Sequence, residues 1–162
     1  MKYLEPTAYN IAEAQEIAKQ MEVELALLLN IEQSFQTVLQ WMTRDRGNSR
    51  KLSTLRFVAR SFERQLTRTR VLADHGGYMH LIADTQPHLD SEVKALRNAR
   101  EELQSDFESI IVRLEYVSPD DSAGFGKICA ELERYLDHLK AHGQKEMELL
   151  QRSFNQEEGG TG

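Results

Sequence analysis

Cysteine, proline and aromatic residues are all scarce in this chain. Cys129 is the single cysteine, so no internal disulfide can form, and a reducing, cytoplasmic setting is expected. On its own helical face its neighbour is Glu133, which would raise a thiol pKa, so Cys129 reads as structural. Three prolines in 162 residues leave room for long uninterrupted helices. No apolar run approaches the roughly 20 residues of a membrane span. The opening Met1-Lys-Tyr-Leu-Glu-Pro6 has no apolar h-region, so no signal peptide is expected. Catalytic signatures are missing as well: there is no Gly-x-x-x-x-Gly-Lys, Gly-x-Gly-x-x-Gly, Gly-x-Ser-x-Gly or His-Glu-x-x-His, and no nucleophile–base pair. The chain is therefore expected not to be an enzyme. A net charge of −6 gives no general attraction to nucleic acid.

What is present favours helix. Apolar residues make up 40% and charged residues 28%, a globular balance, and Glu, Leu, Gln, Arg and Ala are plentiful. Apolar positions recur at spacings of three and four in four long segments. The first, about Tyr9 to Met42, carries Ala14, Ala18, Met21, Leu25, Leu28, Glu32, Phe35, Leu39 and Met42. The second, about Arg50 to Asp84, carries Leu52, Leu55, Val58, Phe62, Leu66 and Thr69. Its phase then slips through Val71, Leu72, His75, Met79 and Ile82. Gly76-Gly77 falls there, a signal for a kink, a close helix contact or a helix end near His75. Pro87 opens the third, with Leu89, Val93, Leu96, Arg100, Leu103, Phe107, Ile110, Leu114 and Val117. The fourth, about Phe125 to Phe154, carries Ile128, Leu132, Tyr135, Leu139, His142, Glu146 and Leu150. Thr43 to Ser49 and Ser118 to Gly124 read as loops. Four long helices with short connections predict an all-α fold, an up-down-up-down antiparallel four-helix bundle forming one domain over 1–162 with an ordered core of about 9–154.

Polar groups interrupt these stripes. Glu32, His75, Arg100, and His142 with Glu146 all lie on or near a core face. Such groups cost free energy when buried unless something pairs with them. Counting from the loops puts His75, Arg100 and His142 at about one level. Glu32 falls roughly 20 Å away at 1.5 Å per residue. Two readings stand: a buried ion-pair network around Arg100, or a metal held by Glu32, His75, His142 and Glu146, whose N/O donors suit iron, manganese or zinc. His138 with His142 makes a His-x-x-x-His pair, but His138 sits at the stripe edge and reads as solvated.

Between Arg44 and Arg70 there are nine Lys/Arg and two acids. Arg56, Arg60, Arg64 and Arg68 follow at i+4 and form a basic ridge. It could contact phosphates or anionic lipid, or pack beside acidic helices within the fold or across a homodimer. The second reading is preferred, because base-stacking aromatics are not interleaved with the ridge. Nucleic acid and membranes are not expected partners; an unidentified protein or small ligand is.

The stretch Ala141-His142-Gly-Gln-Lys-Glu146-Met-Glu-Leu-Leu resembles the His-x-x-x-Glu helix of the hemerythrin-like family. Leu72-Ala-Asp-His75-Gly-Gly-Tyr-Met79, then Pro87 and Leu96-Arg-Asn-Ala-Arg100-Glu-Glu-Leu103, is similar to its second and third helices, and Ile31-Glu32-Gln33-Ser-Phe35 to its first. The resemblance implies a four-helix bundle with two irons held by histidines and carboxylates. His75, His142 and Glu146 agree with that pattern. Met79 stands where a bridging carboxylate belongs, Arg100 and Gln104 where histidines belong, and Glu32 or Gln33 where the first-helix histidine belongs. Arginine stays protonated and does not ligate metal. The resemblance thus implies a degenerate site without cofactor, acting in binding or regulation. A member with iron or another divalent metal, handling oxygen or nitric oxide, is the alternative.

Overall fold

The computed structural model describes residues 8–43, 48–75 and 78–158, the side chains of 8–11, 13, 14, 74, 75, 78, 80, 81 and 154–158 excepted. The loop reading at Arg44–Gly47, the Gly76-Gly77 signal and the glycine-rich end lie outside these residues. Every regular element described is helical. Helix α1 is Ala8–Leu39, α2 Asn48–His75, α3 Tyr78–Thr85, α4 Asp90–Tyr116 and α5 Ser122–Glu158, with a 3-10 turn at Pro87–Leu89. Among the described residues five helices thus stand where the periodicity predicts four: the second segment is described as α2 and α3, on either side of residues 76–77, with the phase slip after Arg70 shortly before them. The first helix stops at Leu39, three residues short of the expected end. Met42 is consequently 99% exposed rather than core, and Val38 joins Leu39 in burial.

Local chemistry sets the ends. Asp121 caps α5, its Oδ1 accepting from Gly124 N–H at 3.0 Å, so one of the helix's orphan donors is satisfied. Pro87, with its preset φ and no N–H, starts the 3-10 turn that leads into α4. Two cations from α2 close the far ends of other helices. Lys51 Nζ donates to the carbonyls of Leu39 (2.7 Å) and Trp41 (3.1 Å). Arg56 donates to the carbonyls of Leu114, Glu115 and Val117 at 2.9–3.1 Å. Positive side chains belong at helix C-termini, where unsatisfied carbonyls and the macrodipole concentrate negative charge.

Contacts pair the helices in a regular order. Lys51 meets Leu39, and Gln65 further along α2 meets Glu24 further back in α1. Arg56 meets Leu114, and Arg70 meets Gln104. Arg113 meets Glu131, Arg100 meets Glu146, and Arg152 meets Glu92. In each pair, position rises along one helix as it falls along the other. The α1–α2 and α4–α5 pairs are the extensive ones; the α1–α5 and α2–α4 seams are thinner.

The core has two parts. One gathers Leu28, Phe35, Leu52, Leu55, Phe62, Phe107, Leu114, Leu132, Tyr135 and Leu139. Phe62 lies at its centre, with ring centroids 5.4 Å from Phe35, 4.9 Å from Phe107 and 6.2 Å from Tyr135, in edge-on geometry. One aromatic thus comes from each of α1, α2, α4 and α5. The other part gathers Met21, Ala73, Met79, Ile82, Leu89, Val93, Leu96, Leu149 and Leu150.

Phe62 is fully buried and touches three other rings, so Phe62→Ala is expected to cost about 3–5 kcal/mol. Met42→Ala should be neutral; urea denaturation of the two variants checks the contrast. Gly126 lies in exposed helix, and a methyl group there would meet nothing within 4 Å, so Gly126→Ala should raise stability by up to about 1 kcal/mol in the same assay.

Candidate functional site

The two apolar clusters are separated by a belt of polar side chains. Along α5, Leu139 belongs to one cluster and Leu149 to the other, with His142 and Glu146 between them. Along α4, Leu96 and Leu103 flank Arg100 in the same way. Along α2, Leu66 and Leu72 flank Thr69. The helical repeat brings these positions to the core face at one level, so α2, α4 and α5 interrupt their stripes together, whereas on α1 the stripe passes from Leu25 in one cluster to Leu28 in the other with no polar stripe residue between them.

At the belt's centre the Arg100 guanidinium donates to Glu146 Oε1. Their side chains are 13% and 3% exposed, so this is an ion pair removed from water. His142, one turn before Glu146, places Nε2 3.5 Å from Glu146 Oε2 without hydrogen-bond geometry, and that nitrogen has no other partner. The Tyr135 hydroxyl is likewise buried without a partner. Burial, helped by Asp106 and Glu32, pushes its pKa well above the ordinary tyrosine range, so it remains a hydrogen-bond donor. Thr69 turns its hydroxyl back to the Leu66 carbonyl at 2.8 Å.

These groups surround a cavity of about 200 Å³. Tyr135 and Phe107 form its aromatic wall, stacked at 5.2 Å, and Leu28, Leu66, Leu103 and Leu139 supply apolar surface. Arg70 bonds Gln104 across the α2–α4 seam that borders it. Chemically, the cavity offers one buried ion pair, one buried hydroxyl donor and one imidazole nitrogen, with leucine and aromatic surface on one side and Glu63, Arg70, Gln104 and Glu108 at its border. Such a mixed lining suits water or a small polar ligand better than a purely apolar one.

Not every sequence-selected residue converges here. His142, Glu146 and Arg100 do. Glu32 borders a different opening, between α1 and α5. Burial raises its carboxyl pKa to about 7, against the nearby charge of Lys140, with Asp137 adding to the rise. His75 ends α2, and its side chain lies outside the described residues. Among the described residues no three His, Cys, Asp or Glu side chains are grouped to hold a metal ion. His138 is exposed while His142 is buried, so that pair is split between faces. Cys129 is buried, and burial pushes its thiol pKa up, with Lys51 opposing.

The basic ridge divides its charges. Arg56 binds α4 carbonyls and Arg60 lies 3.7 Å from Glu115. Arg64 reaches Ser61, and Arg68 pairs with Glu24 at 3.2 Å. The drift of about 40° per i+4 step turns the ridge from α4 toward α1. No described helix is long and apolar enough to cross a membrane.

Stripe reading passes over Tyr135, whose ring counts as core while its hydroxyl belongs to the site. It also passes over Gly143, which lines the cavity beside His142. A glycine inside a helix, next to a polar residue on the core face, is the signal that could have found it. Comparison with family models, curated proteins and solved structures finds no match.

The Glu32 shift carries a sign. The unfolded chain releases this proton near pH 4.5, whereas the folded chain holds it to about pH 7. Between those values the folded state binds more protons, so stability falls as pH rises and levels off above pH 7. The loss should be about 3 kcal/mol at most. Chemical denaturation from pH 4 to 8 should show that fall in the native chain and a flatter profile in Glu32→Gln.

Proposed function

We propose that this chain is a cytoplasmic, hemerythrin-like up-down-up-down antiparallel four-helix bundle whose metal site is degenerate, and that it works as a non-catalytic binding or regulatory module. The observation that carries this reading is the Arg100–Glu146 ion pair. A fixed cation stands where a metal centre of this kind would place a ligand, and it occupies a carboxylate such a centre would need. The opposed residue order in the helix contacts supports the topology. The donor set does not fit a di-iron centre: Arg100 cannot ligate, Glu32 faces another opening, and Met79 is a buried apolar side chain in the second core cluster. The unpartnered Tyr135 hydroxyl and His142 nitrogen, facing a cavity, are what a small ligand or an ordered water would satisfy.

Two measurements test this. Purified protein exposed to Fe(II), Mn(II) or Zn(II) and then dialysed should retain no stoichiometric metal. Stoichiometric metal lost in His142→Ala would replace the proposal with its alternative, a metal-binding protein that handles oxygen or nitric oxide. Arg100→Met alone should cost about 3–5 kcal/mol by stranding Glu146, and Arg100→Met/Glu146→Leu should recover most of that. A double variant no more stable than the single one would mean the pair is not the interior's charge balance.

A further inference from the structure

The α1–α5 seam holds a groove of about 630 Å³, of a size that accepts a small organic molecule. Its apolar surface comes from Leu25, Leu28, Leu29, Leu139 and Met147. Its acidic residues are Glu22, Glu32 and Glu148, against Lys140 as its one basic residue. Glu32 is the unusual member. It is 4% exposed, and its Oε1 is buried without a hydrogen-bond partner. A buried carboxyl oxygen with nothing to accept from is costly, and natural folds leave few of them. Gly143 lies along the same groove, and a β-carbon there would meet nothing within 4 Å. The α5 backbone is thus uncovered on that side of the groove.

We propose that the α1–α5 groove binds a small amphipathic cation, its ammonium donating to Glu32 and its hydrocarbon body lying along Leu25, Leu29, Leu139 and Met147. Three carboxyl groups to one amine set the sign of the ligand's charge and disfavour a carboxylate of the same shape. The ammonium supplies the donor that Glu32 Oε1 lacks, and the leucines and methionine supply the apolar surface that a bare ion would not need. This inference goes beyond the binding-module reading, since neither Arg100 nor Glu146 lines the groove.

Isothermal titration calorimetry of the full chain with octylamine, octanol and octanoate, each below its aggregation concentration, tests it. Octylamine should bind one to one and about tenfold tighter than octanol, with octanoate the weakest. Glu32→Gln should remove that tenfold advantage and leave octanol binding unchanged. Leu29→Lys, at a wall residue 42% exposed, should weaken octylamine by a similar factor without disturbing the interior, and it keeps the test valid if Glu32→Gln fails to fold. Arg100→Met/Glu146→Leu, which removes the interior ion pair without stranding a charge, should retain octylamine binding, which separates this inference from the fate of that pair. Equal affinity for amine and alcohol, or undiminished octylamine binding in both groove variants, overturns it.

Discussion

Two charges held out of water, Arg100 on α4 and Glu146 on α5, constrain everything around them. Desolvating such a pair costs about as much as its attraction returns, so it contributes little net stability. What it imposes is position. A shift of α4 along α5 by one turn would strand both charges in apolar surroundings, a far larger penalty than mismatched leucines would bring. The pair therefore fixes the register of the α4–α5 contact, and the exposed Arg113–Glu131 and Arg152–Glu92 pairs on either side agree with that register. Both residues also line the cavity of about 200 Å³.

The chain's charge imbalance has a comparable structural use. Helix α2 carries most of the concentrated basic residues, and its first turns lie beside the final turns of α1 and α4. Lys51 and Arg56 direct their charges there at carbonyls that would otherwise lack donors. Further on, Arg68 reaches the acidic face of α1 at Glu24, which Gln65 also engages. Lys51, Arg56 and Arg68 thus join α2 to α1 and α4.

Legibility in the sequence follows physical simplicity. The α4 and α5 stripes are readable because a straight helix repeats at 3.6 residues, and every stripe residue from Ile128 to Leu150 is buried. The end of α1 is not readable, because Met42 continues the apolar spacing. The carbonyls of Leu39 and Trp41 at that end accept from Lys51, a contact between residues about ten positions apart that apolar spacing does not encode. The α2–α3 division is half visible in the slipped phase after Arg70. At the site, Arg100, His142 and Glu146 stand out as polar residues on apolar faces. Tyr135 does not, because its ring satisfies the pattern and only three-dimensional placement reveals an unpartnered hydroxyl. Glu32 stands out for the same reason as the others, but the pattern cannot say that it faces a different seam.

The polar belt leaves the protein with two hydrophobic cores rather than one. Substitutions within one core share neighbours and should couple energetically, whereas well-separated pairs drawn from opposite sides of the belt should act additively. Phe35 and Phe62 are locked to each other's size; Phe62 and Leu89 are not. Each half is thereby free to change its packing without the consent of the other, while the belt between them is the one layer both must accommodate.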